Sequence, residues 1–175
     1  MGCGKVEHLD DSNRRGNCIC DVVRAILDIQ NHATDECGDC PTNCFAEPLG
    51  GLSCPTKNKA NTRVFMLLTR NGDPFKAFFR NKHHHHTPIN EDCVSVFFRV
   101  EDIFDNCCAT LRVLRPLKHD DKPVSLVSDK DPSRIDLNKI CEVKKFKESN
   151  SCVTVDLDCF CGIECIEDVY LDICD

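Results

Sequence analysis

The chain has no tryptophan and a single tyrosine, Tyr170. Phenylalanine, with 10 copies, is therefore the main large apolar residue. No apolar run approaches the roughly 18 residues that mark a membrane-spanning helix. Residues Met1 to Gly16 lack the apolar core of a secretory leader. Val6 stands where an N-myristoylation signal needs Ser or Thr. Basic charge is also short: Lys and Arg number 22 against 29 Asp and Glu, a net charge of −7. That balance argues against a sequence-independent nucleic-acid binder, which needs a basic face. It argues equally against docking on an anionic membrane. Neither nucleic acid nor membrane insertion is expected. The 175 residues are enough for one domain with a real core, and 41% hydrophobic residues exclude wholesale disorder.

What the chain has in abundance is cysteine, 16 copies. Such density ordinarily marks an oxidising compartment. The missing leader predicts synthesis in a cytosol, where thiols stay reduced. Two resolutions follow: the cysteines bind metal, or they are oxidised after the cytosol ceases to be reducing.

Along the chain, residues 1–16 are polar and read as a flexible arm. Residues 17–175 read as a single cysteine-rich domain. Within it, 17–32 is expected to be a helix, capped by Asn17, with Val22, Ala25, Ile26 and Ile29 at i, i+3, i+4, i+7. Residues 33–62 are rich in Cys, Gly, Pro, Asn and Thr and read as a long loop. The region 63–158 reads as a β-sheet. Val64–Leu68 is a continuous apolar run, predicting a strand buried on both faces. Asn71-Gly72-Asp73-Pro74 predicts a hairpin to Phe75–Phe79. Further strands are expected at 94–101 and 107–115, an outer loop at 116–138 with a weak strand near Val124–Val127, and a hairpin of 141–146 with 151–158 around Glu148-Ser149-Asn150. Residues 159–175 form a cysteine-rich tail of unassigned structure. The fold class is mostly β with one N-terminal α-helix, an antiparallel sandwich or open barrel.

Side chains alternate across a strand, which sorts the cysteines by face. Cys93 is in phase with Ser95, Phe97 and Arg99; Cys108 with Thr110 and Arg112; Cys152 with Thr154 and Asp156. All three fall on the more polar phase of their strands. A thiol on an outer face is badly placed to staple its own core and well placed to meet another chain. Adjacent Cys107 and Cys108 should point to opposite faces and take different partners, one inward and one outward. Cys3, Cys18 and Cys20 complete the candidates for intermolecular disulfides. Cys37, Cys40, Cys44, Cys107, Cys141, Cys159, Cys161 and Cys165 are the other disulfide candidates.

The metal alternative rests on Cys37, Cys40 and Cys44, a C-x2-C-x3-C run. A C-x2-C pair can hold one zinc ion, but a full site needs four ligands. The paired C-x2-C spacing of a zinc knuckle is missing, and so is the iron–sulfur run. No metal or cofactor is expected, and a zinc-stabilised binding module stands as the alternative. His83–His86 form a polar run that reads as a solvated loop, an engineered tag fragment or a transition-metal site. The chain contains no G-x-S-x-G, P-loop, G-x-G-x-x-G or H-E-x-x-H. The C-x-x-C at 37–40 lacks the strand-to-helix setting of a thioredoxin-like site, which leaves a thiol redox protein as a second alternative. An enzyme is not expected.

Four segments carry a family resemblance: CICDVVRAILDIQ (18–30), FFRVE (97–101), CCATLRVLRP (107–116) and VDLDCFCGIEC (155–165). Their order, with a C-x2-C-x3-C loop after the helix, resembles the spore coat protein Y and Z family of Bacillus, which includes the cysteine-rich exosporium protein Y. Thirteen cysteines fall on the family's pattern, and Cys54 and Cys174 are extra. Gly162 stands where the family commonly has Ala. The resemblance implies a structural protein of the endospore crust or exosporium. It implies self-assembly into a hexagonal two-dimensional lattice with disulfides between subunits, and docking with other coat proteins. It also implies synthesis in the mother-cell cytoplasm and deposition on the spore surface, which fits a cysteine-rich chain without a leader.

Overall fold

In a computed structural model, residues 18–34, 60–80, 93–131 and 133–173 are described. The expected arm, most of the Cys-rich loop and the His83–His86 run lie outside them, as does the cap at Asn17. Helix α1 spans Cys18–Thr34. Seven strands follow: β1 (Thr62–Thr69), β2 (Ala77–Phe78), β3 (Val94–Ser95), β4 (Phe98–Ile103), β5 (Cys108–Leu117), β6 (Lys145–Asp156) and β7 (Phe160–Val169). A short helix α2 (Leu137–Ile140) precedes β6. The main sheet is antiparallel, in the order β6-β5-β4-β1-β7, and β2 and β3 form a separate ribbon. The fold is thus mostly antiparallel β with one main N-terminal helix, and the sheet is open: β6 and β7 are its two edges.

Both faces of the sheet are covered, and β1 shows why its sequence is apolar throughout. Phe65 and Leu67 point into a core under α1, with Phe98, Val100, Ala109, Leu111 and Val113. Val64 and Met66 point into a second core with Phe97, Leu114, Val124 and Leu126. The continuous run Val64–Leu68 is therefore a strand with a packed layer on each side.

The second core corrects two expectations. Segment 116–138 is not simply an outer loop: where a weak strand is expected only isolated bridges form, Leu117 with Pro123 and Val127 with Ile135, but Val124 and Leu126 are buried, with Ile135 and, from α2, Ile140 packed beside them. Nor is the Cys93 phase an outer face. Ser95 and Phe97 are fully buried and Arg99 is 7% exposed, because the second layer lies over them.

The buried stripe of α1 is also rotated from the one expected. Ile19, Cys20, Val23, Ile26 and Gln30 face the sheet, while Ala25 is exposed and Ile29 is 49% exposed. Two residues that an apolar count omits set this rotation. Cys20 is bonded to Cys107. Gln30 donates from Nε2 to the Val100 carbonyl at 2.8 Å and accepts from the Arg63 backbone N–H at 3.2 Å.

Neither predicted hairpin forms as expected. The turn at 69–74 is present, with Gly72 at φ 81° and the Thr69 N–H donating to the Asp73 carbonyl at 2.9 Å. Its return strand leaves at once, because β1 is already paired with β4 and β7, and β2 pairs with β3 instead. Glu148-Ser149-Asn150 is not a turn. It is an irregularity inside the continuous strand β6, where the Ser149 hydroxyl accepts from the Ser151 N–H at 3.1 Å and Arg112 Nη1 donates to the Ser149 carbonyl at 3.2 Å.

Candidate functional site

The chemistry available to this chain lies in its thiols. Cys20 and Cys107 form a disulfide with a Cα–Cα distance of 5.7 Å, joining α1 to the turn before β5. This corrects the grouping of Cys20 with the intermolecular candidates: it is fully buried on the sheet-facing side of α1, where only its own chain can reach it. Cys159 is also disulfide-bonded.

Cys107 and Cys108 do point apart, but not through strand alternation. Cys107 lies in the turn between β4 and β5 with φ 60°. Its N–H donates to the Phe104 carbonyl at 3.0 Å, and the Phe104 N–H donates to the Cys108 carbonyl at 2.8 Å. A left-handed residue closing such a turn is a recurrent hairpin device. Here it aims one sulfur under α1. Cys108 begins β5 on the other face, half-buried.

That other face is polar near the β5–β6 end. Cys108 lies opposite Asp156, Thr110 opposite Thr154 and Arg112 opposite Cys152. Arg112 Nε donates to Glu101 at 2.5 Å, a bond that raises the Arg112 pKa. Cys152 is exposed on the edge strand β6. Cys161 and Cys165 are exposed on β7, the opposite edge. The Cys161 thiol donates to the Thr69 carbonyl at 2.8 Å. Cys18 and Cys141 are exposed as well, and Cys93 is half-buried. Cys3, Cys37, Cys40 and Cys44 lie outside the described residues, and with them the zinc alternative. Among the described residues no group of three His, Cys, Asp or Glu side chains could hold a metal ion.

The thiols of the two sheet edges cannot reach one another within a chain. Strands lie about 4.8 Å apart, so four spacings hold β6 and β7 roughly 19 Å apart. A disulfide needs Cα atoms within about 7 Å. Cys108 and Cys152 share a face but are offset by four residues, roughly 13 Å along the strands.

The edge strand β7 is the element that sequence reading left unassigned. Its pattern is dominated by exposed and acidic residues, so no apolar alternation marks it. It is held by pairing with β1 and by Arg63, which bonds both carboxylate oxygens of Asp168 at 2.7 Å. This bond holds the Asp168 carboxyl below its ordinary pKa, against a smaller opposing effect of burial. Asn61 anchors the chain beyond β7, donating to the Leu171 carbonyl at 2.7 Å and accepting from the Leu171 N–H at 2.9 Å.

Residues 1–168 match the family model described as spore coat protein Z. This chain belongs to the spore coat protein Z family. It is 33% identical over 155 residues to the spore coat protein Z of Bacillus subtilis (strain 168), covering 89% of this chain and 92% of that relative. No solved structure matches it. The family is one of structural spore coat proteins, deposited on the spore surface. Among the described residues, no helix is long and apolar enough to cross a membrane.

Proposed function

We propose that this coat protein assembles with copies of itself into a hexagonal two-dimensional layer of the spore crust or exosporium, locked by disulfides between subunits. The observation that carries this reading is the placement of exposed thiols on both sheet edges, Cys152 on one and Cys161 and Cys165 on the other, out of reach within one chain. Noncovalent contacts position the copies first. Oxidation then converts reversible association into a bond that dilution does not undo, and the layer becomes kinetically stable. Other coat proteins dock on the same layer. Synthesis in the mother-cell cytoplasm keeps the thiols reduced until assembly is complete. Electron microscopy of the purified protein tests the reading. A planar repeating lattice is expected, and dispersed monomers at concentrations that saturate assembly would overturn it.

A further inference from the structure

Cys20 and Cys107 are held side by side by contacts that do not need their bond. On the helix side, Ile19, Val23 and Ile26 are buried against the sheet, and Gln30 bonds backbone groups of β4 and β1. Arg24 Nη2 donates to the Phe104 carbonyl at 3.4 Å, beside the turn. On the sheet side, the Cys107 N–H is bonded to Phe104, and the Cys107 carbonyl accepts from the Leu157 N–H at 3.1 Å. Two thiols fixed in this way meet at an effective concentration far above that of a thiol in solution. Access to them is one-sided. Cys20 is fully buried, whereas Cys107 is half-buried, so a small reagent reaches sulfur only at Cys107. Cys108, the nearest other thiol in sequence, begins β5 on the opposite face and cannot compete. Cys18, Cys141, Cys152, Cys161 and Cys165, by contrast, are exposed and not bonded to another sulfur.

We infer that the fold stages the oxidation of this chain in two steps. As the surroundings turn oxidising, Cys20–Cys107 closes first, at a redox poise where the exposed thiols remain reduced. The exposed thiols close later, when a second copy brings them a partner sulfur. The first step is a property of the single chain. The second rests on the self-assembly reading. The order has a consequence for a chain with 16 cysteines. Two sulfurs are withdrawn from mispairing, and α1 is fixed over its core, before any covalent link joins the copies.

The first bond forms by exchange with a small-molecule disulfide such as oxidised glutathione. The Cys107 thiolate, the reachable one, attacks that disulfide, bonds one half of it and releases the other half as a thiolate. The Cys20 thiol then loses its proton and attacks the Cys107 sulfur, displacing the second half. Two protein thiols are oxidised, one small disulfide is reduced to two thiols, and the two protons pass to the departing thiolates. Reduction retraces this path. It must expel Cys20 as a poorly solvated thiolate into the core under α1, where it stays beside Cys107 and closes the bond again.

The test uses the full chain, reduced, desalted and dilute enough to be monomeric. It is equilibrated at fixed total glutathione over a range of oxidised-to-reduced ratios, alkylated and digested with trypsin. Fragment 16–24 should appear joined to fragment 100–112, with the alkyl groups on Cys18 and Cys108. Half of that bond should form at a ratio at least about tenfold lower than the one that half-converts Cys18, Cys141, Cys152, Cys161 or Cys165. Exposed thiols that convert before Cys20 and Cys107, or together with them, would overturn the staging. Gln30→Ala, which loosens α1, should shift closure of the inner bond to a higher ratio and leave the exposed thiols unmoved. An unmoved inner bond would overturn the role given to α1, and if the variant does not fold the wild-type order alone decides. At a ratio between the two steps, concentrating a mixture of isotopically light and heavy chains should cross-link the copies, while the 16–24/100–112 pair stays single-isotope. A mixed-isotope pair would overturn the first step. An inner bond that closes first in a chain that never cross-links would remove the second step together with the self-assembly reading, and leave the first standing.

Discussion

Cys20 and Cys107 are the pair through which α1 is bolted to the β4–β5 turn, with 87 residues of chain between them. The bond separates the inner set of sulfurs from the outer set, since the neighbour of Cys107 begins β5 on the opposite face. Cys20→Ser should therefore act on the monomer. A bond closing a long loop contributes about 2–4 kcal/mol. Denaturant unfolding without reductant should show a loss of that size, and adding reductant should destabilise wild type far more than the variant.

Cys108→Ser should do the opposite. The side chain is on the polar face, away from the core under α1. Monomer unfolding should move by less than about 0.5 kcal/mol, while assembled material should lose resistance to boiling in detergent. Loss of folded monomer would contradict the outward placement.

Phe98→Ala should be a monomer lesion. Phe98 is fully buried at the centre of the sheet, with its ring 5.6 Å from that of Phe75 and 6.5 Å from that of Phe65. The expected cost is about 3–5 kcal/mol, read from the denaturant midpoint.

Gln30→Leu should cost more than its gain in apolar area implies. Gln30 is 1% exposed and is bonded to backbone groups of both β4 and β1. Removing the amide strands a buried carbonyl and a buried N–H, each worth about 1–3 kcal/mol when unsatisfied. Urea titration of the variant should show a loss in that range, and hydrogen exchange should rise at Arg63.

The Arg63–Asp168 pair predicts a pH dependence. The Asp168 carboxyl is depressed in the folded state, so its contribution is complete above its ordinary range near pH 3.9 and is lost as pH falls through the folded value. The Asp168 side chain is 47% exposed, so screening limits the contribution to about 1 kcal/mol or less. Asp168→Asn should be slightly less stable than wild type at pH 7, and the two should converge as the pH falls through the depressed folded value. A gap that widens in acid would contradict the pairing.

The fold was legible where burial and periodicity agree. The run Val64–Leu68 announced a strand covered on both faces, and 107–115 showed its inner phase through Ala109, Leu111 and Val113. The rest was hidden for identifiable reasons. The face of α1 is turned by a cysteine and a glutamine, which an apolar stripe does not count. The second core draws Val124, Leu126, Ile135 and Ile140 from a charged, irregular stretch in which only a weak strand near Val124–Val127 could be read. β7 is an exposed, acidic edge strand, held by its pairing with β1 rather than by an apolar face. Strand phase placed Cys108 and Cys152 away from the core under α1 but misplaced Cys93, because a packed layer on the far side of β4 leaves no local trace.

The central claim is that thiols on the outside of this sheet join copies to one another. Electrophoresis of assembled protein in boiling detergent, with and without reductant, tests it most directly. A ladder of multimers is expected, with much material too large to enter the gel, collapsing to monomer when reductant is added. Monomer alone in both lanes would contradict it.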